Sequence, residues 1–245
     1  SFWVSEGDDG QSDALNKGFK IATGDICAYL NSDDLYLNNS LWEVANSYVQ
    51  KKFKWLSSDV ICGSSLSKSS IFDHKTPSFE EFCAQQTIAQ QGVFWEREVL
   101  SRPWFDPKIR YTMDHQFFIR LYRQYGKPKK LKLTTSFFRF HPKAKTSNWE
   151  NILMKERKSI GEDAAIIARD ESEAARIRKE IIRLTLKIKG NELLKGLEFE
   201  SLYHKKSYLF LKVLIIFLKA PFPLRDRVFI GFIAKSFKQL FTRLK

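Results

Sequence analysis

The chain has 245 residues, 43% of them hydrophobic and 14% aromatic, which is enough apolar material for a real core and excludes a wholly disordered chain. Its formal charge of +13 is uneven: residues 203–245 hold ten Lys/Arg against one acid, Asp226, while the remainder is close to balanced. No run of eighteen apolar residues marks an ordinary membrane-spanning helix. The three cysteines, Cys27, Cys62 and Cys83, lie far apart without a CxxC pair, so they give no zinc motif and read as reduced thiols.

In chain order, Phe2-Trp3-Val4 reads as the end of a strand and Asp8-Asp9-Gly10 as a turn. Ala14, Leu15, Phe19 and Ala22 then recur at helical spacing, with Gly24 as a stop. Ile26 to Leu30 is a short continuous apolar run, as expected of a buried parallel strand, and it breaks into the polar turn Asn31-Ser32-Asp33-Asp34. Leu41, Val44, Ala45 and Tyr48 predict another helix, Val60–Gly63 a strand, and the Ser-rich stretch 64–78 a loop. Gly92–Trp95 predicts a strand. Asp114 opens a helix with Phe117, Phe118, Leu121 and Tyr125 on one face, and 131–140 reads as two short strands. Strand and helix alternate, which implies a layered α/β domain. A sheet does not begin with half a unit, so further strands are expected before Ser1. Residues 149–189 are helical and densely charged with mixed signs, as in a connector or hairpin with a solvated face.

Four places carry candidate chemistry. Asp33 and Asp34 sit at the C-terminal end of an apolar strand, the edge where open α/β sheets bind ligands. Two acids there suit a hard cation such as Mg²⁺ or Mn²⁺, and capping of the next helix is the alternative. Asp114 precedes an amphipathic helix, so it is either an N-terminal cap or a general base within reach of a hydroxyl. His141, beside Pro142, is either structural or a phosphate or metal contact. Gln90 and Gln91 either hydrogen-bond a sugar or belong to a polar strand edge.

The order of these pieces carries a further signal. Trp3 to Gly18 (WVSEGDDGQSDALNKG), Ala22 to Ile26 (ATGDI) and Leu30 to Tyr36 (LNSDDLY) follow one another at a spacing that closely resembles the family 2 glycosyltransferases. The resemblance continues through Gln90–Trp95, Phe105-Asp106, Met113-Asp114 and Arg139–Pro142, about residues 1–147 in all. It implies an α/β, GT-A-like mixed sheet that lacks its first strands, followed by a helical region. It implies inverting transfer of a sugar from a nucleotide-sugar donor to a hydroxyl of a glycan or lipid-linked acceptor, in surface glycan biosynthesis. Position by position, Asp33 and Asp34 match the metal-binding region, with Asp34 the expected direct ligand of Mn²⁺ or Mg²⁺. Asp114 matches the catalytic base. Asp13, Asn16 and Asp33 match donor-side positions, Gln90 and Gln91 are placed at the acceptor, and His141 matches a histidine near the diphosphate and metal. Asn31 stands where many members carry a further acid, Gln116 stands where a second acid is common after the base, and no QxxRW motif supports processive synthesis.

Three segments follow: a partial transferase domain at 1–147, a charged helical connector at 148–202, and basic amphipathic helices at 203–245. In the last, Lys205, Lys212 and Lys219 recur every seven residues among Tyr208–Leu218. Pro221 and Pro223 end the first helix. Such helices suit an anionic membrane interface, here the cytoplasmic face of the cell membrane, and packing on the protein is the alternative. The tail's aromatics lie on apolar helical faces, which argues against nucleic acid. The competing functional reading is a non-catalytic remnant or a membrane-associated interaction protein.

Overall fold

The computed structural model describes residues 3–72, 76–144 and 150–200. The chain divides into two compact units, 1–185 and 186–245. The candidate catalytic and binding residues lie in the first, and the basic tail 203–245 lies outside the described residues.

Helix α1 (Gln11–Ile21) starts at Gly10, whose φ of 111° suits a residue without a side chain. It buries Ser12 and Phe19. After it come β1 (Ile26–Cys27), β2 (Leu35–Tyr36), α2 (Ser40–Gln50), β3 (Trp55–Ser65) and β4 (Lys68–Ile71). A short helix α3 (Phe79–Ala84), a 3₁₀ turn at Gln90–Gly92 and β5 (Val93–Glu96) lead to α4 (Met113–Tyr125) and β6 (Lys129–Arg139). Helices α5 (Glu150–Ile166) and α6 (Glu171–Glu200) follow.

The strands form one mixed sheet in the order β1-β5-β3-β6-β2, with β4 also paired to β3. Only β3 and β6 run parallel; the other pairings are antiparallel. The apolar run from Ile26 is therefore a two-residue strand antiparallel to β5, not the parallel strand expected. Burial on both faces makes a strand apolar whichever way its neighbour runs. Trp3 and Val4 are not strand residues and are well exposed. The Ser-rich stretch contains β4, and 131–140 is most of one long strand, not two.

Alternation along the strands sends side chains to two faces. Val44, Tyr48, Phe53, Leu56 and Phe94 make a small cluster beneath α2. The larger core on the other face packs Phe19, Trp55, Trp95, Trp104, Phe105, Phe117 and Phe118. α5 and α6 join this core through Ile160, Ala164, Ala165, Ala174, Ile177 and Ile181. The segment expected as a connector thus buries one face, and the boundary between compact units falls at 185/186 and not near 147. Gly161 explains how α5 comes so close: a Cβ there would stand 2.7 Å from Ile181 Cδ1 and 3.3 Å from the Cys83 carbonyl oxygen.

Candidate active site

The turn 31–34 closes on itself through the Asp34 N–H, which donates to the Asn31 carbonyl at 3.1 Å. Asp34 points inward and is 4% exposed. Its Oδ2 accepts from Gln91 Nε2 at 2.8 Å and Asn31 Nδ2 at 3.3 Å, and its Oδ1 accepts from the Arg139 N–H at 3.0 Å. Burial pushes its carboxyl pKa up, and these donors work against that. Asp33 accepts from His141 Nε2 at 2.8 Å, with both side chains partly exposed. The far end of β6 thus brings Arg139 and His141 to a turn more than a hundred residues earlier.

A buried polar seam holds Gln91 in place. Ser58 on β3 donates to the Gly92 carbonyl at 3.0 Å, Ser136 on β6 donates to the Gln91 carbonyl at 2.6 Å, and Thr135 bonds both serines. Gly92 lies so close to β3 that a Cβ would meet the Ser58 carbonyl oxygen at 2.8 Å and Val60 Cγ2 at 2.7 Å. Hydroxyl-bearing residues in the middle of a sheet are costly unless paired. Here both serines grip the backbone of the 90–92 turn.

Asp114 is the second residue of α4 and is partly buried. Its Oδ2 accepts from Gln86 Nε2 at 2.8 Å, and its Oδ1 from the His115 N–H at 2.8 Å. Burial raises its pKa, and Gln86, the His115 N–H and the Arg157 guanidinium pull it back. The next residue, His115, is fully buried, with Nε2 2.7 Å from the Phe82 carbonyl oxygen. A carbonyl only accepts, so Nε2 carries the proton, and burial holds the imidazole pKa down to about 4.

Consecutive residues of α1 bond beside each acidic place: Gln11 Nε2 donates to Asn31 Oδ1 at 2.8 Å, while Ser12 Oγ lies 3.0 Å from the sulfur of Met113, the neighbour of Asp114. Gln86 and Gln91, five residues apart, hold Asp114 and Asp34 respectively. The buried Tyr29 phenol feels both carboxylates, which add to burial in holding its pKa well above 10.

The other expected site residues have partners within the protein. Gln90 and Gln91, expected at the acceptor, are buried. Gln90 Nε2 donates to the Tyr29 carbonyl at 2.6 Å and Gln91 Nε2 to Asp34. Asn16, expected near the donor, latches the Phe105 backbone through both amide atoms, at 2.7 and 3.1 Å. Asp13 accepts from the Asp9 N–H and pairs with Lys17 at 3.0 Å, which lowers its pKa. Gln86, Glu156 and Arg157 escaped the sequence reading. They lie in no motif, and only tertiary packing brings them to Asp114.

No group of three or more His, Cys, Asp or Glu able to hold a metal occurs among the described residues. The Asp33 carboxylate only accepts, so in this arrangement His141 Nε2 carries the proton of their bond and does not offer a lone pair to a metal. Mg²⁺-type ions are commonly bound through one or two carboxylates with substrate phosphates and water, so Asp33 fits an ion shared with a diphosphate. Asp34 has both oxygens engaged by N–H donors and fits a direct ligand less well than Asp33.

The mixed sheet with its flanking helices has the GT-A class of α/β fold. The family model "Glycosyl transferase family 2" matches residues 3–126, just over half of the chain, and the chain belongs to that family. Among solved structures, S. aureus TarS 1-349 is similar at TM-score 0.50 and 13% identity, covering 71% of this chain and 50% of that one. S. aureus TarS 1-349 in complex with UDP-GlcNAc is similar at TM-score 0.55 and 12% identity, covering 73% and 54%. The chain thus spans about half the length of these structures. No curated protein matches it.

Proposed function

We propose that the protein transfers a sugar from a nucleotide-sugar donor to a hydroxyl acceptor by a single displacement with inversion. What supports this reading most is that α1 is bonded beside both acids, through Gln11 to Asn31 and Ser12 to Met113, and that the Tyr29 phenol feels both the Asp34 and the Asp114 carboxylate. Family membership and the UDP-GlcNAc complex of a neighbour in fold support a nucleotide-sugar donor.

Asp114 is the base. Gln86 and the His115 N–H aim its carboxylate, and burial raises its proton affinity, which favours removing a proton from a hydroxyl. The acceptor oxygen forms its bond to the anomeric carbon as the bond from that carbon to the diphosphate oxygen breaks. The proton passes to Asp114, and the diphosphate leaves with the bonding pair. Asp33 would hold a divalent cation, which when bound neutralises charge on a diphosphate, and His141 would hold Asp33 in place. Asp34 holds the turn in shape from behind, through Gln91, Asn31 and the Arg139 N–H.

The acceptor class is a glycan or lipid-linked hydroxyl of a surface glycan, met at the cytoplasmic face of an anionic membrane. The basic tail supports this, with ten Lys/Arg against one acid. Salt-sensitive co-sedimentation with anionic vesicles tests it, and binding that ignores both lipid charge and salt removes it. No helix among the described residues is long and apolar enough to cross a membrane.

The decisive assay is nucleotide-sugar hydrolysis and transfer with and without Mn²⁺. Asp114→Asn is expected to cost about two to four orders of magnitude in rate. An unchanged rate removes Asp114 from the mechanism. Absence of turnover with every nucleotide sugar would favour the non-catalytic reading.

A further inference from the structure

The carboxylate of Glu156, on α5, accepts four hydrogen bonds from a single turn. The N–H groups of Arg110, Tyr111 and Thr112 reach it at 3.1, 2.9 and 3.0 Å, and the Thr112 hydroxyl at 3.1 Å. That turn runs directly into α4, and Asp114 follows two residues after Thr112. Thr112 is the N-cap residue of α4, yet its side chain makes no cap bond to its own helix. A carboxylate from a helix some forty residues further along gathers these donors instead. Such charge-assisted bonds are stronger than neutral ones and fix the turn's geometry.

The next residue, Arg157, is largely withdrawn from water. It lies within electrostatic reach of Asp114, each favouring the charged form of the other. Other groups face Asp114 as well. Gln86, from the segment after α3, donates to it. Tyr29, from the segment after β1, is neutral, with Asp34 beyond it. His115, on the same helix, is neutral at ordinary pH. Arg157 is thus the cation that α5 contributes to this set. Both residues lie beyond position 126, where the family match ends.

We infer that α5 is part of the active site: Glu156 is a positioning residue that sets Asp114 through the 110–112 turn. The helix also packs on the core, but the four bonds that Glu156 gathers from this turn point to a role beyond scaffolding. This inference rests on Asp114 being the base.

The test uses the full chain. Carboxyl ¹³C NMR follows the titration of Asp114, with the signal assigned by its loss in Asp114→Asn. Glu156→Gln and Glu156→Ala, which loosen the turn that leads into Asp114, are expected to shift the Asp114 midpoint. In kinetics, Glu156→Gln lowers kcat about tenfold and Glu156→Ala lowers it further, both with KM for the donor little changed. Ala164→Gly is the control, because it loosens the same helix at a buried position remote from the turn. It is expected to lower Tm while leaving the midpoint and kcat in place. An Asp114 midpoint and a kcat both unmoved in Glu156→Ala overturn the Glu156 role. Equal kcat losses in Ala164→Gly and Glu156→Gln overturn the Glu156 role by reducing α5 to scaffolding. The titration needs no turnover, so an inactive native chain would count against the proposed function while the NMR midpoint still judged Glu156.

Discussion

Asp114 and His115 are adjacent, yet burial moves their proton affinities in opposite senses, because it disfavours the charge in each case. For Asp114 the folded pKa lies above its ordinary value near 3.8. The folded state therefore binds more protons than the unfolded one between those two values, and stability is lost as pH rises through that window. Above it the ionised carboxylate is a net burden. Asp114→Asn is accordingly expected to raise Tm at pH 7 while it removes activity, and a lowered Tm would contradict this. His115 behaves in the opposite way, with a folded pKa of about 4 against an ordinary 6.5. Its stabilisation is complete above about pH 6.5 and lost as pH falls towards 4. Between pH 7 and pH 5 this amounts to about 2 kcal/mol. His115→Gln keeps an amide donor for the Phe82 carbonyl and is expected to remove that part of the acid sensitivity, read from urea midpoints at the two pH values. In both residues the types were visible in the sequence, but their environments were not. Asp114 reads equally well as a cap, and His115 carries no signal until Phe82 is placed against it.

Helices α5 and α6 show how composition misleads about an element. Glu, Lys and Arg dominate the segment, so its buried stripe of Ile160, Ala164, Ala165, Ile177 and Ile181 is thin and partly built of alanine. A stripe of small residues carries little hydrophobic signal, yet it permits close approach, and Gly161 is its tightest point. Gly161→Val is expected to cost about 1–3 kcal/mol by overpacking, because the Cys83 carbonyl is backbone and cannot turn aside as Ile181 can. Chemical denaturation measures this, and an unchanged midpoint would show that α5 has room to move. Strand β3 was recognised only from Val60 onward for a related reason. Ser57, Ser58 and Asp59 interrupt its apolar pattern, and the burial of those serines makes sense only once β6 and the 90–92 turn lie against them.

For the chain as a whole, the unit ending at Thr185 predicts where it can be cut. A protein ending at 147 loses Ile160, Ile177 and Ile181 from the core. At about 1.5–3 kcal/mol for each buried isoleucine, the loss is about 5–9 kcal/mol, comparable with the whole stability of a typical domain. It is expected to lose cooperative unfolding, whereas a protein ending at 185 keeps it. Cooperative unfolding of the shorter form would restore 147 as a domain boundary.

Local pattern was enough for the family, the acidic turn and helices α1, α2 and α4, because each of these is written in a few consecutive residues. The pairing of Asp33 with His141, the bonds of Gln90 to Tyr29 and Gln91 to Asp34, the polar seam between β3 and β6, and the grip of Glu156 on the turn before Asp114 all join residues roughly thirty to a hundred or more positions apart. Such contacts depend on which strands become neighbours and how closely helices approach them. Those features are settled by the packing of the entire core, so no stretch of the chain contains them.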